Sequence, residues 1–103
     1  MEDMELVAFQ MISQVGSARS SFMEALQFAR EGNNEAANEK ITEAQSFLTD
    51  GHRVHAELIR KEASGEKVEI SLLVLHAEDL MISTETLGEL AKEMIFMYQE
   101  FRK

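Results

Sequence analysis

A chain of 103 residues, 45% hydrophobic and with a formal charge of −9, suits a single domain over residues 1–103, small enough for self-association to add usefully to its core. That charge repels phosphate backbones and anionic lipid headgroups, and no Lys/Arg cluster offsets it, so nucleic acids and membrane surfaces are not expected as partners. Cysteine is absent, which removes disulfides, thiolate metal sites and a cysteine nucleophile, and fits a reducing compartment with the cytoplasm as default.

Met1-Glu2-Asp3-Met4-Glu5 lacks the basic start and apolar core of a signal peptide, and no apolar run approaches the roughly 20 residues that span a bilayer. An unprocessed, soluble protein is the expectation. Proline is missing throughout, and Gly clusters with Asn or Ser at two places, Glu31-Gly32-Asn33-Asn34 and Ala63-Ser64-Gly65-Glu66. These breaks leave long helical segments: Asp3 to Arg30, Asn34 to Ala63, and Lys67 to Arg102.

In the first segment Met4, Val7, Met11, Val15, Ala18, Phe22, Ala25 or Leu26, and Ala29 recur every three or four residues, the mark of an amphipathic helix. Gly32 can end it in the left-handed conformation while Asn33 or Asn34 caps the next helix, and so short a turn makes the two antiparallel neighbours. The second segment repeats the pattern through Ala37, Ile41, Ala44, Leu48, Gly51, His55, Leu58 and Glu62. Its apolar stripe is thinner, which suggests the outermost helix. Gly16, Gly51 and Gly88 each cost up to about 1 kcal/mol against Ala inside a helix, so close helix crossings are expected to compensate.

The third segment carries two stripes. One runs through Leu73, His76, Leu80, Ser83, Leu87, Leu90, Met94, Met97 and Phe101; the other through Leu72, Leu75, Asp79, Ile82 and Thr86. A three-helix monomer needs one, and each Leu or Ile left in water forgoes about 1.5–3 kcal/mol, so the second implies another chain. At close to 3.5-residue spacing this helix can form the centre of a parallel bundle. The fold class read here is all-α, an antiparallel three-helix bundle that self-associates, with a trimer plausible and the number not fixed by the stripe.

His76 and Asp79 interrupt these apolar stripes. They sit three apart, on adjacent faces of one turn. His76 reads either as a hydrogen-bonded interfacial imidazole or as a nucleophile. With no Cys, P-loop, zinc motif or G-x-S-x-G, the chemistry open to it is to accept and pass on a phosphoryl group through a free ring nitrogen. Asp79 lies where symmetry would gather copies from neighbouring chains. Such a cluster must be partly protonated or hold a hard cation, Mg²⁺ or Ca²⁺; the alternative is an Asp exposed beyond the bundle. His52 and His55 share a face but lack the further ligands of a transition-metal site.

The stretches Gly16-Ser17-Ala18-Arg19-Ser20, Glu57-Leu58-Ile59-Arg60-Lys61-Glu62-Ala63, Gly65-Glu66-Lys67 and Ser71-Leu72-Leu73-Val74-Leu75-His76-Ala77-Glu78-Asp79 resemble the lactose/cellobiose (N,N'-diacetylchitobiose) class of phosphotransferase-system (PTS) enzyme IIA over nearly the whole chain. The resemblance implies a three-helix subunit in a homotrimer, phosphorylated at His76 on the tele nitrogen. It also implies one Mg²⁺ per trimer, held by Asp79 of each subunit. Its implied partners are HPr, which donates the phosphoryl group, and the cognate IIB, whose cysteine receives it before IIC-mediated uptake of a disaccharide such as cellobiose or lactose. Two positions depart from the family's usual motif: Glu78 stands for Gln, and Leu80 for a second His. A carboxylate at 78 can repel phosphoryl oxygens. Beside the phosphocarrier reading stand a non-catalytic or regulatory interaction module of the same fold and a simple metal-binding trimer.

Overall fold

The computed structural model describes residues 4–102 and contains three helices: α1 (Met4–Arg30), α2 (Asn34–Ala63) and α3 (Leu72–Phe101). They form an antiparallel bundle, a rod of 54 × 20 × 19 Å. α1 packs along both neighbours, while α2 and α3 touch each other sparsely. Among the described residues no helix is long and apolar enough to cross a membrane.

The first turn works as its sequence suggests. Gly32 takes φ 85°, and the Asn33 N–H donates back to the Phe28 carbonyl at 2.9 Å, satisfying orphan carbonyls at the end of α1. Asn33 then caps α2, its side chain accepting from the Ala36 N–H at 3.1 Å. The Arg102 guanidinium closes the same end by donating to the Arg30 carbonyl. α2 ends likewise, with Gly65 at φ 93° and the Glu66 N–H donating to the Lys61 carbonyl at 3.0 Å.

The third helix starts later than the pattern from Lys67 suggests, because residues 67–70 are irregular. Ser71 is extended at φ −132°, ψ 167°, and its hydroxyl accepts from the Val74 N–H at 3.2 Å. An N-cap residue must be non-helical to make that bond. The β-branched Val68 and Ile70 suit the extended approach.

Along α1 the predicted stripe is the buried one, with Val7, Met11, Val15, Ala18, Phe22, Ala25 and Ala29 all inside. α2 buries only Ala37, Ala44, Gly51 and Leu58, one every seventh residue and mostly small, so α1 approaches closely. A Cβ on Gly51 would lie 2.7 Å from Val15 Cγ2, and one on Gly88 2.5 Å from Phe22 Cζ. Those two glycines mark close crossings. Gly16 does not, since a Cβ there meets nothing within 4 Å.

α3 corrects the sequence reading. Its buried face is Val74, Ala77, Met81, Thr84, Gly88, Ala91 and Ile95, which is neither of the two stripes anticipated. Leu73, Leu80 and Leu87 are half-buried flanks packed against the core. Leu72, Leu75, Ile82, Leu90, Met94, Met97 and Phe101 stand exposed, Leu72 at 84% and Phe101 at 80%. Ala77, Thr84, Gly88 and Ala91 keep the inner face mostly small, with Met81 and Ile95 as its large members, and most of the remaining large apolar side chains face out.

Candidate functional site

Ser71 begins α3 and the Leu75 N–H closes its first turn on the Ser71 carbonyl at 3.0 Å. His76 follows just beyond that turn, where the helix-dipole effect has faded. The imidazole is exposed, with Leu72 and the 54%-exposed Leu75 on the same outward side. Among the described residues it has no hydrogen-bond partner, so both ring nitrogens are open to an incoming group. Of the two readings of His76, the structure of one chain does not supply the hydrogen bond that the interfacial one required.

Asp79 sits one turn along, exposed between Leu75 and the 63%-exposed Ile82. Among the described residues no three His, Cys, Asp or Glu side chains come together as a metal site. One chain therefore offers a single hard oxygen donor. Mg²⁺ fits that donor chemistry only where copies of Asp79 from several chains converge.

Glu78 and His55 form a pair that sequence reading missed. The Nδ1 of His55 on α2 lies 2.7 Å from Glu78 Oε1 and 2.9 Å from Oε2, and both side chains are about two-thirds covered. Two residues apart on a helix, Glu78 leaves α3 on roughly the opposite side from His76. The carboxylate that stands for the family's Gln is thus engaged by α2. A second, looser tie joins His52 Nε2 to Glu85 Oε1 at 3.5 Å, so the two histidines read as a face-sharing pair are each taken by a different α3 carboxylate. Leu80, where the resemblance implies His, packs half-buried against the core. Nothing in the linear sequence signals these partners, because pairing depends on how α2 and α3 are rotated.

The groups that shift most lie elsewhere. Lys40 is held above its ordinary value by its hydrogen bond to Glu43, opposed by desolvation and aided by the Glu24 charge. Glu43 is held below its own by the same bond. These are exposed ties between α1 and α2 and along α2.

A helical rod with an exposed histidine and aspartate on an apolar outward face of its last helix defines the class. Residues 6–99 match the family described as PTS system, lactose/cellobiose specific IIA subunit, and the chain belongs to that family. It is 40% identical over 99 residues to the lichenan-specific phosphotransferase enzyme IIA component of Bacillus subtilis (strain 168), covering 96% of this chain and 90% of that one. The crystal structure of the PTS cellobiose-specific enzyme IIA from Bacillus anthracis superposes with a TM-score of 0.95 at 42% identity, covering 99% and 94% of the two chains. The IIA(Chitobiose) of the Escherichia coli N,N'-diacetylchitobiose branch, solved in complex with HPr, gives a TM-score of 0.86 at 28% identity over 100% of both.

Proposed function

We propose that this chain is a sugar-specific phosphocarrier that takes a phosphoryl group from phospho-HPr on His76 and gives it to a cysteine of a cognate IIB. The observation that carries the reading is the exposed imidazole of His76, without a hydrogen-bond partner among the described residues, on an apolar rim in a chain with no cysteine. The tele nitrogen, Nε2, attacks phosphorus as the donor's P–N bond breaks, and the process reverses onto sulfur when IIB docks. Little else is asked of the protein, since holding two nucleophiles in line with phosphorus supplies most of the catalysis. The exposed Leu72 and Leu75 offer the docking face. IIC would then pass the phosphoryl group's recipient, a disaccharide such as cellobiose or lactose, into a cell whose cytoplasm holds the IIA.

The exposed side of α3 is where a homotrimer would form. Its three Asp79 carboxylates would meet at one axis, and a Mg²⁺ held there would offset their mutual repulsion, a structural rather than a catalytic service.

Incubation with phosphoenolpyruvate and the upstream carriers tests the reading. The expected result is a mass gain of one phosphoryl group, mapped to His76 and abolished in His76→Ala. Wild-type protein that stays unmodified while still binding a partner would overturn it in favour of a non-catalytic module.

A further inference from the structure

The pair across α2 and α3 supports one step more, resting on the phosphocarrier reading. We propose that His55 is a positioning residue for phosphoryl acceptance at His76: it pins the Glu78 carboxylate against α2 and offsets its charge. The anionic donor then meets His76 without a free carboxylate two residues away.

The geometry is specific to these side chains. Nδ1 of His55 lies within hydrogen-bond distance of both Glu78 oxygens, at 2.7 and 2.9 Å, so the carboxylate is held on the α2 side. The carboxylate can only accept, so the ring meets it as the Nδ1–H tautomer or as imidazolium, and as imidazolium it makes the pair neutral. Among the described residues His55 is the one hydrogen-bond or ion-pair partner of the Glu78 side chain. With the two side chains leaving opposite sides of α3, helix geometry sets the carboxylate about 13 Å from a phosphorus at His76. Through solvent-like dielectric at low salt, one unpaired charge at that range slows reaction with a dianionic phosphoryl group by up to about threefold, an effect that salt screens.

The test uses the full chain as wild type, H55A, E78Q and H55A/E78Q. Each reacts with potassium phosphoramidate, an anionic donor whose P–N bond breaks and whose ammonia leaves as the bond from His76 Nε2 to phosphorus forms. Each also reacts with neutral diethyl pyrocarbonate, and both products are read at His76 by peptide mass spectrometry. The expected outcome is that, at low salt, H55A slows phosphoramidate by up to about threefold while diethyl pyrocarbonate is unaffected. Glu78→Gln in the H55A background should restore the rate, and concentrated KCl should narrow the deficit. His55→Ser serves the same comparison if H55A does not fold.

An unchanged H55A rate, an equal loss with both reagents, a double variant that stays slow, or a His76 that takes no phosphoryl group from phosphoramidate would each overturn the proposal. Because the small donor needs no carrier protein, this pattern in a chain that never accepts from phospho-HPr would defeat the functional reading alone.

Discussion

Replacing Gly88 with Ala puts a methyl carbon 2.5 Å from Phe22 Cζ, 2.7 Å from Cε2 and 3.1 Å from Cε1. Carbon atoms rest at about 3.5–4.0 Å, so the ring must withdraw by roughly an ångström. Phe22 is 1% exposed and enclosed by Ala18, Ala44 and Ala91 with Leu26, Leu48 and Leu87 packed around them, which leaves it little room. Overpacking of this kind costs about 1–3 kcal/mol, and the better helix propensity of Ala returns about 1 kcal/mol. The difference spans about 0–2 kcal/mol, and a contact as short as 2.5 Å against an enclosed ring puts it in the upper half, about 1–2 kcal/mol, a fall of roughly 5–10 °C in Tm for a domain of this size. Urea unfolding followed by circular dichroism measures it, at matched protein concentration because assembly feeds into apparent stability. Gly16→Ala is the control: with nothing within 4 Å it should gain up to about 1 kcal/mol. A Gly88→Ala chain as stable as wild type, or one that gains alongside Gly16→Ala, would refute the close crossing of α1 and α3.

Other outcomes follow from the same coordinates. Thr84 is 0% exposed and among the described residues its Oγ1 has no hydrogen-bond partner, so Thr84→Val should raise stability by about 1 kcal/mol by removing an unsatisfied hydroxyl; a lowered urea midpoint would contradict this. In the proposed trimer Asp79→Leu should raise the thermal midpoint and remove any response to Mg²⁺, since carboxylates gathered at one axis would be less stable than apolar replacements. Dissociation into monomers on light scattering would show instead that the carboxylates hold the assembly together.

The first two helices were legible because their cues are local. Gly32 and Asn33 are turn chemistry, and the buried side of α1 repeats apolar residues every three or four positions from Val7 to Ala29. α3 was misread because size is a poor guide when the core wants small groups. Ala77, Thr84, Gly88 and Ala91 face inward because α1 must come close, and a search for large apolar residues passes over them. Its start was also misjudged, since charge and periodicity run on through Lys67–Ile70 while the Ser71 cap alone decides where hydrogen bonding begins. The site divides in the same way. His76 and Asp79 stand out as polar residues in an apolar run, whereas the His55–Glu78 pair, 23 residues apart in sequence, requires the relative rotation of two helices.

The exposed side of α3 has a period that bears on what it can build. Leu75, Asp79, Ile82 and Thr86 fit a heptad, but the outward residues continue as Leu90, Glu93, Met97 and Phe101, all exposed. Steps of four, three and four repeat, so Leu75, Thr86 and Met97 are equivalent, as are Asp79, Leu90 and Phe101. That is an 11-residue repeat, about 3.67 residues per turn, which favours straight or slightly right-handed packing over the left-handed supercoil of a heptad. A parallel assembly on this face would therefore keep the same neighbours aligned along the whole rod without winding. It would also stack Asp79, Thr86 and Glu93 as polar layers at seven-residue intervals. Polar layers weaken such a core and fix its register, and in the proposed trimer a fixed register would hold the His76 copies at one height.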